Sequence, residues 1–145
     1  MKSKLLTFLL FIGSVFIANS IRAQNKPTDK QAIGMLIEFY SAYITVIADS
    51  KSPADLKELE ALSKKYCTTG LLRKINAQYV SGRMDSDFFT HTQDASLSML
   101  KSMAFSKDVK RLNGYTLYFS DSYNKHIIHL TVTKQGGKYK ISDVY

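Results

Sequence analysis

The chain has 145 residues, 45% of them hydrophobic, with 20 Lys and Arg against 12 Asp and Glu, and one cysteine. That length makes one ordinary domain with enough buried surface to hold together without disulfides or metals. A single cysteine, Cys67, excludes an intramolecular disulfide, and the basic residues are scattered without the block that a nucleic-acid-binding arm would show.

The first 23 residues carry an export pattern. Lys2 and Lys4 precede an apolar run from Leu5 to Ile17, and a short polar stretch ends in Ile21-Arg22-Ala23. A basic start, an apolar run of about a dozen residues and a small residue before the cut predict a secretory signal peptide cleaved after Ala23. The run is too short for a bilayer, which takes roughly 20 residues. No stable membrane anchor is expected after cleavage, and no cysteine near the cut supports a lipid anchor. Residues 24–145 are read as a single secreted or periplasmic domain, its charge 17 against 12, a net +5. Export removes it from cellular nucleic acid; the excess charge reads as a solvated surface, or as attraction to an anionic envelope.

After the linker "QNKPTDK", Ile33, Leu36, Ile37, Tyr40, Tyr43, Ile44 and Ile47 recur at steps of three and four, predicting a long amphipathic helix. Thr28 or Asp29 can cap it. Ser52-Pro53 opens a second helix with Leu56, Leu59, Leu62 and Tyr66 on one side, closed by "TTG". Cys67 follows that face near the helix end and is read as a small buried hydrophobe. A third helix carries Leu71, Leu72, Ile75 and Tyr79 inward and ends at Ser81-Gly82.

From about Met103 the period becomes two. Asn113-Gly114 reads as a two-residue hairpin turn, followed by alternating Tyr115, Leu117 and Phe119. "SDSYNK" turns the chain into a strand alternating Ile128, Leu130 and Val132, and "KQGGK" into one carrying Tyr139 and Ile141. The fold class is therefore α+β: three N-terminal helices packed on a 3–4-stranded antiparallel meander sheet.

The stretches "IEFYSAYI", "DSDFFTHTQD" and "GGKYKISDVY" together resemble domain-of-unknown-function family 3828, small exported bacterial proteins with cystatin-like or nuclear-transport-factor-2-like folds. Asp85, Asp87, Phe89, Gln93 and Asp94 match the family pattern D-x-D-P-F-x-x-A-Q-D. Phe88 replaces its proline, Thr92 its alanine, and Tyr139 stands where the family ending carries tryptophan. The resemblance implies a sheet bent around a helix with a conical pocket open at one end, and supplies no catalytic residues.

The candidate site residues are Asp85, Asp87, His91, Gln93 and Asp94 of the loop, with Tyr40 and Tyr43 as polar points of a pocket. Counted from Asp85, an EF-hand needs Gly at the sixth place and Glu at the twelfth; Thr90 and Ser96 stand there. Asp85 or Asp94 as a turn or helix cap is the simpler account of the acids. His126 and His129, three apart on a strand, point to opposite faces and make no metal pair. No metal or cofactor is expected.

A tyrosine–aspartate chemistry would need an aspartate brought into the pocket, and nothing in the sequence places one there. "DSDFFTHTQD" reads as the crossover from helices to sheet, with Phe88 or Phe89 plugged into the core and a polar rim as recognition surface. The leading functional expectation is a binding module for a small molecule or an envelope protein. The alternatives are an inhibitor or immunity-type protein blocking an envelope hydrolase or toxin, and, last, a small pocket enzyme with Tyr/Asp chemistry.

Overall fold

The computed structural model describes residues 29–49 and 53–145. The export signal expected over 1–23 lies outside them, as does Thr28. Three helices, α1 (Asp29–Asp49), α2 (Pro53–Tyr66) and α3 (Thr69–Val80), precede a one-turn helix α4 (Ser98–Ser102). Four strands follow: β1 (Ala104–Asp108), β2 (Gly114–Ser120), β3 (Lys125–Gln135) and β4 (Lys138–Val144), antiparallel in the order β1-β2-β3-β4. The class is α+β, and the meander has its fourth strand.

The sheet is amphipathic by its period of two. Tyr115, Leu117, Phe119, Ile128, Leu130 and Val132 are buried on one face, while Tyr118 and Ile127 pair on the other and are exposed. The inner face packs on α1, whose Ala32, Leu36, Phe39, Tyr40, Tyr43 and Ile44 are buried. α1 is long and apolar enough to cross a bilayer, yet that apolar content is core here. Between sheet and helix, Tyr40, Ile44, Tyr115, Leu117, Ile128 and Leu130 are fully buried.

β4 departs from strict alternation. Thr131 pairs with Asp143 but Val132 with Ile141, so Ser142 is an extra residue and the strand bulges. Ile141 and Val144, three apart, therefore both point inward. The outer edge of β4 receives the end of α2, where Cys67 bridges Ile141 and the Thr68 N–H donates to the Ile141 carbonyl at 2.9 Å. Lys140 Nζ donates to the carbonyls of Lys64 and Lys65, satisfying acceptors that a helix end leaves unpaired.

Several local expectations are corrected. Asn113-Gly114 is not a two-residue hairpin: five residues separate β1 from β2, and Gly114 is already a strand residue opposite Asp108 and Thr131. Glycine is needed there because a Cβ would come within 2.7 Å of the Arg111 Cβ. The two-residue turn is instead Gly136-Gly137, with φ of 56° and 78°, the positive pair that such a turn requires. Tyr79, read as inward, is 75% exposed, and Leu56 is 64% exposed; α2 and α3 lie at the edge of the core, so only part of each predicted stripe finds a partner.

Candidate functional site

The loop between α3 and α4 is built from its ends inward. α3 ends at Val80 and is closed by Gly82, φ 65°, with the Gly82 N–H donating to the Tyr79 carbonyl and the Arg83 N–H to that of Gln78. This is a Schellman ending, in which a left-handed glycine satisfies the last carbonyls of a helix.

Asp87 then organises the turn. Its Oδ1 accepts from the Phe89 N–H (2.9 Å), the Thr90 N–H (2.8 Å) and the Thr90 hydroxyl (3.0 Å). Its Oδ2 accepts from the Tyr43 hydroxyl at 2.6 Å. The Asp87 N–H donates to the Thr92 carbonyl and the His91 N–H to the Asp87 carbonyl, both at 2.9 Å. Thr90 and Thr92, both buried, join hydroxyls at 2.9 Å; since the Thr90 hydroxyl donates to Asp87, it accepts from Thr92. Tyr40 donates to the Phe89 carbonyl at 3.1 Å.

These bonds correct three expectations. The turn cap is Asp87, not Asp85 or Asp94, which are exposed. The Asp87 side chain accepts from the N–H two residues on, the bond of an Asx turn. Not one phenylalanine but both are buried, at 9% and 2% exposure, because Phe88 to Thr90 is a turn and not an extended segment, in which neighbours would face opposite ways. Phe89 lies 4.9 Å from Phe39 and 5.0 Å from Tyr43, centroid to centroid, edge to face. Finally, an aspartate does meet a candidate tyrosine, because Asp87 is brought to Tyr43.

That pair offers little free chemistry. Burial, then the nearby Asp87 charge, pushes the Tyr43 phenol far above its ordinary range, so it stays a hydrogen-bond donor. Burial does the same to Tyr40, which lines none of the described clefts. Both Asp87 oxygens are already occupied. Among the described residues no group of three His, Cys, Asp or Glu can hold a metal ion.

What faces solvent is a second set: Asp85, His91, Gln93 and Asp94 are all exposed. His91 occupies the left-handed region with φ 54°, uncommon for a residue with a Cβ. An apolar groove of about 360 Å³ runs between α2, α3 and the loop, walled by Leu59, Leu72, Ile75, Met84 and Phe88. A polar cleft of about 340 Å³ adjoins it at Met84 and Phe88 and takes in Lys74, Arg83, Asp85 and His91.

No protein-family model matches this chain, and no curated protein matches it. Among solved structures, a protein of unknown function from Bacteroides thetaiotaomicron superimposes with a TM-score of 0.71 at 22% identity, over 89% of this chain and 95% of that one. A chain from the type VI effector–immunity complex Tae3–Tai3 of Ralstonia pickettii gives a TM-score of 0.60 at 15% identity, over 83% of this chain and 94% of that one. At these identities the likeness establishes a shared α+β fold, and a fold hosts many functions.

Proposed function

We propose that this chain is an exported protein-binding module of the immunity or inhibitor kind, engaging an effector or hydrolase of the cell envelope through the Asp85–Asp94 loop. The observation that carries the reading is the division of labour in that loop. Its inner polar groups are spent on one another and on Tyr40 and Tyr43, while Asp85, His91, Gln93 and Asp94 stand outside on a braced frame. A preorganised tip loses little entropy when it docks. The fold shared with a chain of the Tae3–Tai3 complex suggests the class of partner to try first. Secretion and membership of domain-of-unknown-function family 3828 are parts of the proposal that rest on the sequence.

The test is capture from envelope extract by the tagged protein, with partners identified by mass spectrometry. One tight protein partner is expected, lost on His91→Ala or Gln93→Ala while the urea midpoint stays unchanged. Recovery of no protein, or capture indifferent to both changes, overturns the reading. A second reading, a carrier of a small apolar molecule, is favoured by the groove between α2 and α3; it predicts a co-purifying small molecule that Ile75→Glu expels.

A further inference from the structure

A separate constellation sits where the loop faces the β2–β3 turn. Asp121 opens that turn: its Oδ1 accepts from the backbone N–H of Tyr123 (2.7 Å) and Asn124 (2.6 Å). Its Oδ2 lies 2.7 Å from Nε2 of His126. The His126 ring is nearly parallel to Phe119, at 15° and 4.9 Å between centroids. The His126 and Asp121 side chains are only 17% and 19% exposed, so the imidazole is held in place on two sides.

Its tautomer follows. The two backbone donors, then His126, hold the Asp121 carboxyl below the ordinary aspartate range. An ionised carboxylate only accepts, so Nε2 is the donor of this pair, and in that tautomer of the imidazole Nδ1 is an acceptor. No described residue bonds to Nδ1.

The dyad lines a cleft of about 410 Å³ together with Gln93, Asp94, Tyr123 and Asn124. The chain has 20 Lys and Arg against 12 acids, yet neither Lys nor Arg is among the residues lining this cleft. We propose that it binds an alkylammonium or guanidinium group, borne by a lysine or arginine side chain of a polypeptide or by a free polyamine. Nδ1 of His126 accepts one N–H. Asp94, exposed and carrying the countercharge, takes another, and the 93% exposed Tyr123 ring offers its face to the cation. The neighbouring Gln93 and Asn124 amides supply further carbonyl acceptors. This deepens the loop's reading as a recognition surface, since Gln93 and Asp94 serve both, but a free amine needs no partner protein to bind.

The test is an NMR titration of the purified protein with methylguanidinium, putrescine and an acetylated Gly-Lys-Gly amide, against acetamide and propionate. Saturable shifts at Asp94, Tyr123, Asn124 and His126 are expected with the cations and not with the controls. Asp94→Asn and His126→Phe should each weaken binding about tenfold, roughly one lost charge-assisted hydrogen bond. Asp94 is exposed, so its variant keeps the test valid if His126→Phe folds poorly. A peptide bound tighter than the free amines assigns the group to a polypeptide, and the reverse order to a small amine. Shifts absent up to about 100 mM, a scale of affinity below any specific site, or equal with the controls, overturn the proposal even if envelope capture succeeds. Amine binding without any captured partner keeps this site and removes the immunity reading.

Discussion

The hydroxyl of Tyr43, on the central helix, donates at 2.6 Å to a carboxylate oxygen of Asp87, 44 residues away in the crossover loop. One carboxylate thus ties α1 to the loop and also folds the loop on itself. Removing the phenol oxygen and removing the carboxylate should therefore have unequal costs. Tyr43→Phe loses one bond to a charged acceptor, about 1.5–3 kcal/mol. Asp87→Ala strands the Phe89 and Thr90 N–H groups and the Tyr43 and Thr90 hydroxyls, and should cost at least about 3 kcal/mol. In urea melts the double variant should lose less than the sum, because both changes break the same contact. Strict additivity would show that the Tyr43–Asp87 bond carries no coupling.

Phe89 sits at 2% exposure against Phe39 and Tyr43, and Phe89→Ala should cost about 3–5 kcal/mol. Phe88, at 9% and forming one wall of the apolar groove, should cost about 3 kcal/mol, the low end of that range. A near-zero loss at Phe88 would mean that its ring is not an anchor in solution.

Cys67 is 3% exposed, and burial pushes its thiol up to about 12. The thiolate is the reactive form, so native protein at pH 8 should label with a disulfide reagent only as fast as it unfolds. The sign of the linkage is set by the raised value: the folded state disfavours ionisation. Its stability should hold below the ordinary thiol range, about 8.5, and fall above it as the unfolded thiol ionises. Cys67→Ala should flatten that alkaline limb. Immediate stoichiometric labelling of native protein would contradict the buried placement.

Asp29 gives the opposite limb. Lys107, at 3.1 Å, and the Tyr115 hydroxyl, also at 3.1 Å, hold its carboxyl below the ordinary aspartate range. A depressed value gives stability that is present above about pH 4, the unfolded range, and lost as pH falls through the folded value. Melts of the protein and of Asp29→Asn should converge as the pH drops toward 3. A constant gap between them would remove the ion pair as its source.

The sequence carries some of this plainly. Period-two alternation reads correctly as strands because the inward residues of β2 and β3 are buried in one core cluster with those of α1. Helical periodicity locates α1 and most of its face, since Leu36, Tyr40, Tyr43 and Ile44 are buried; it errs at the margins, where Phe39 is fully buried and Ile37 is 46% exposed, because apolar residues on both flanks do not say where the covered stripe ends. The same limit explains Tyr79 and Leu56, which belong to apolar stripes wider than the surface that covers them. α4 has only five residues, too few for a period to show. In the loop, residue types mark the site but not its partition. Asp85, Asp87 and Asp94 look alike in sequence, and it is the bonds from Phe89 and Thr90 in the folded turn and from Tyr43, brought in from α1, that distinguish Asp87. The Asp121–His126 pair is five residues apart, yet its meaning depends on Phe119 stacking and on the cleft that the distant loop completes.

His91 offers the sharpest separation of stability from recognition. Its φ of 54° is fixed by the turn, because its N–H donates to the Asp87 carbonyl and the next residue closes the pair with the Asp87 N–H. Its side chain is exposed. A residue with a Cβ there costs about 1–2 kcal/mol relative to glycine, offset in part by the entropy that glycine loses on folding, about 0.5–1 kcal/mol. His91→Gly should therefore raise the unfolding free energy by up to about 1 kcal/mol, whereas His91→Ala keeps the strain and should leave it unchanged. Both variants remove the imidazole, so both should lose partner capture. Asn, which tolerates this region better than most side chains, should fall between Gly and Ala in stability and share their loss of binding. Urea melts of the three variants beside the capture assay decide it. A glycine variant that is less stable than the parent would show that the imidazole holds the loop together, and the recognition role would then pass to Asp85, Gln93 and Asp94.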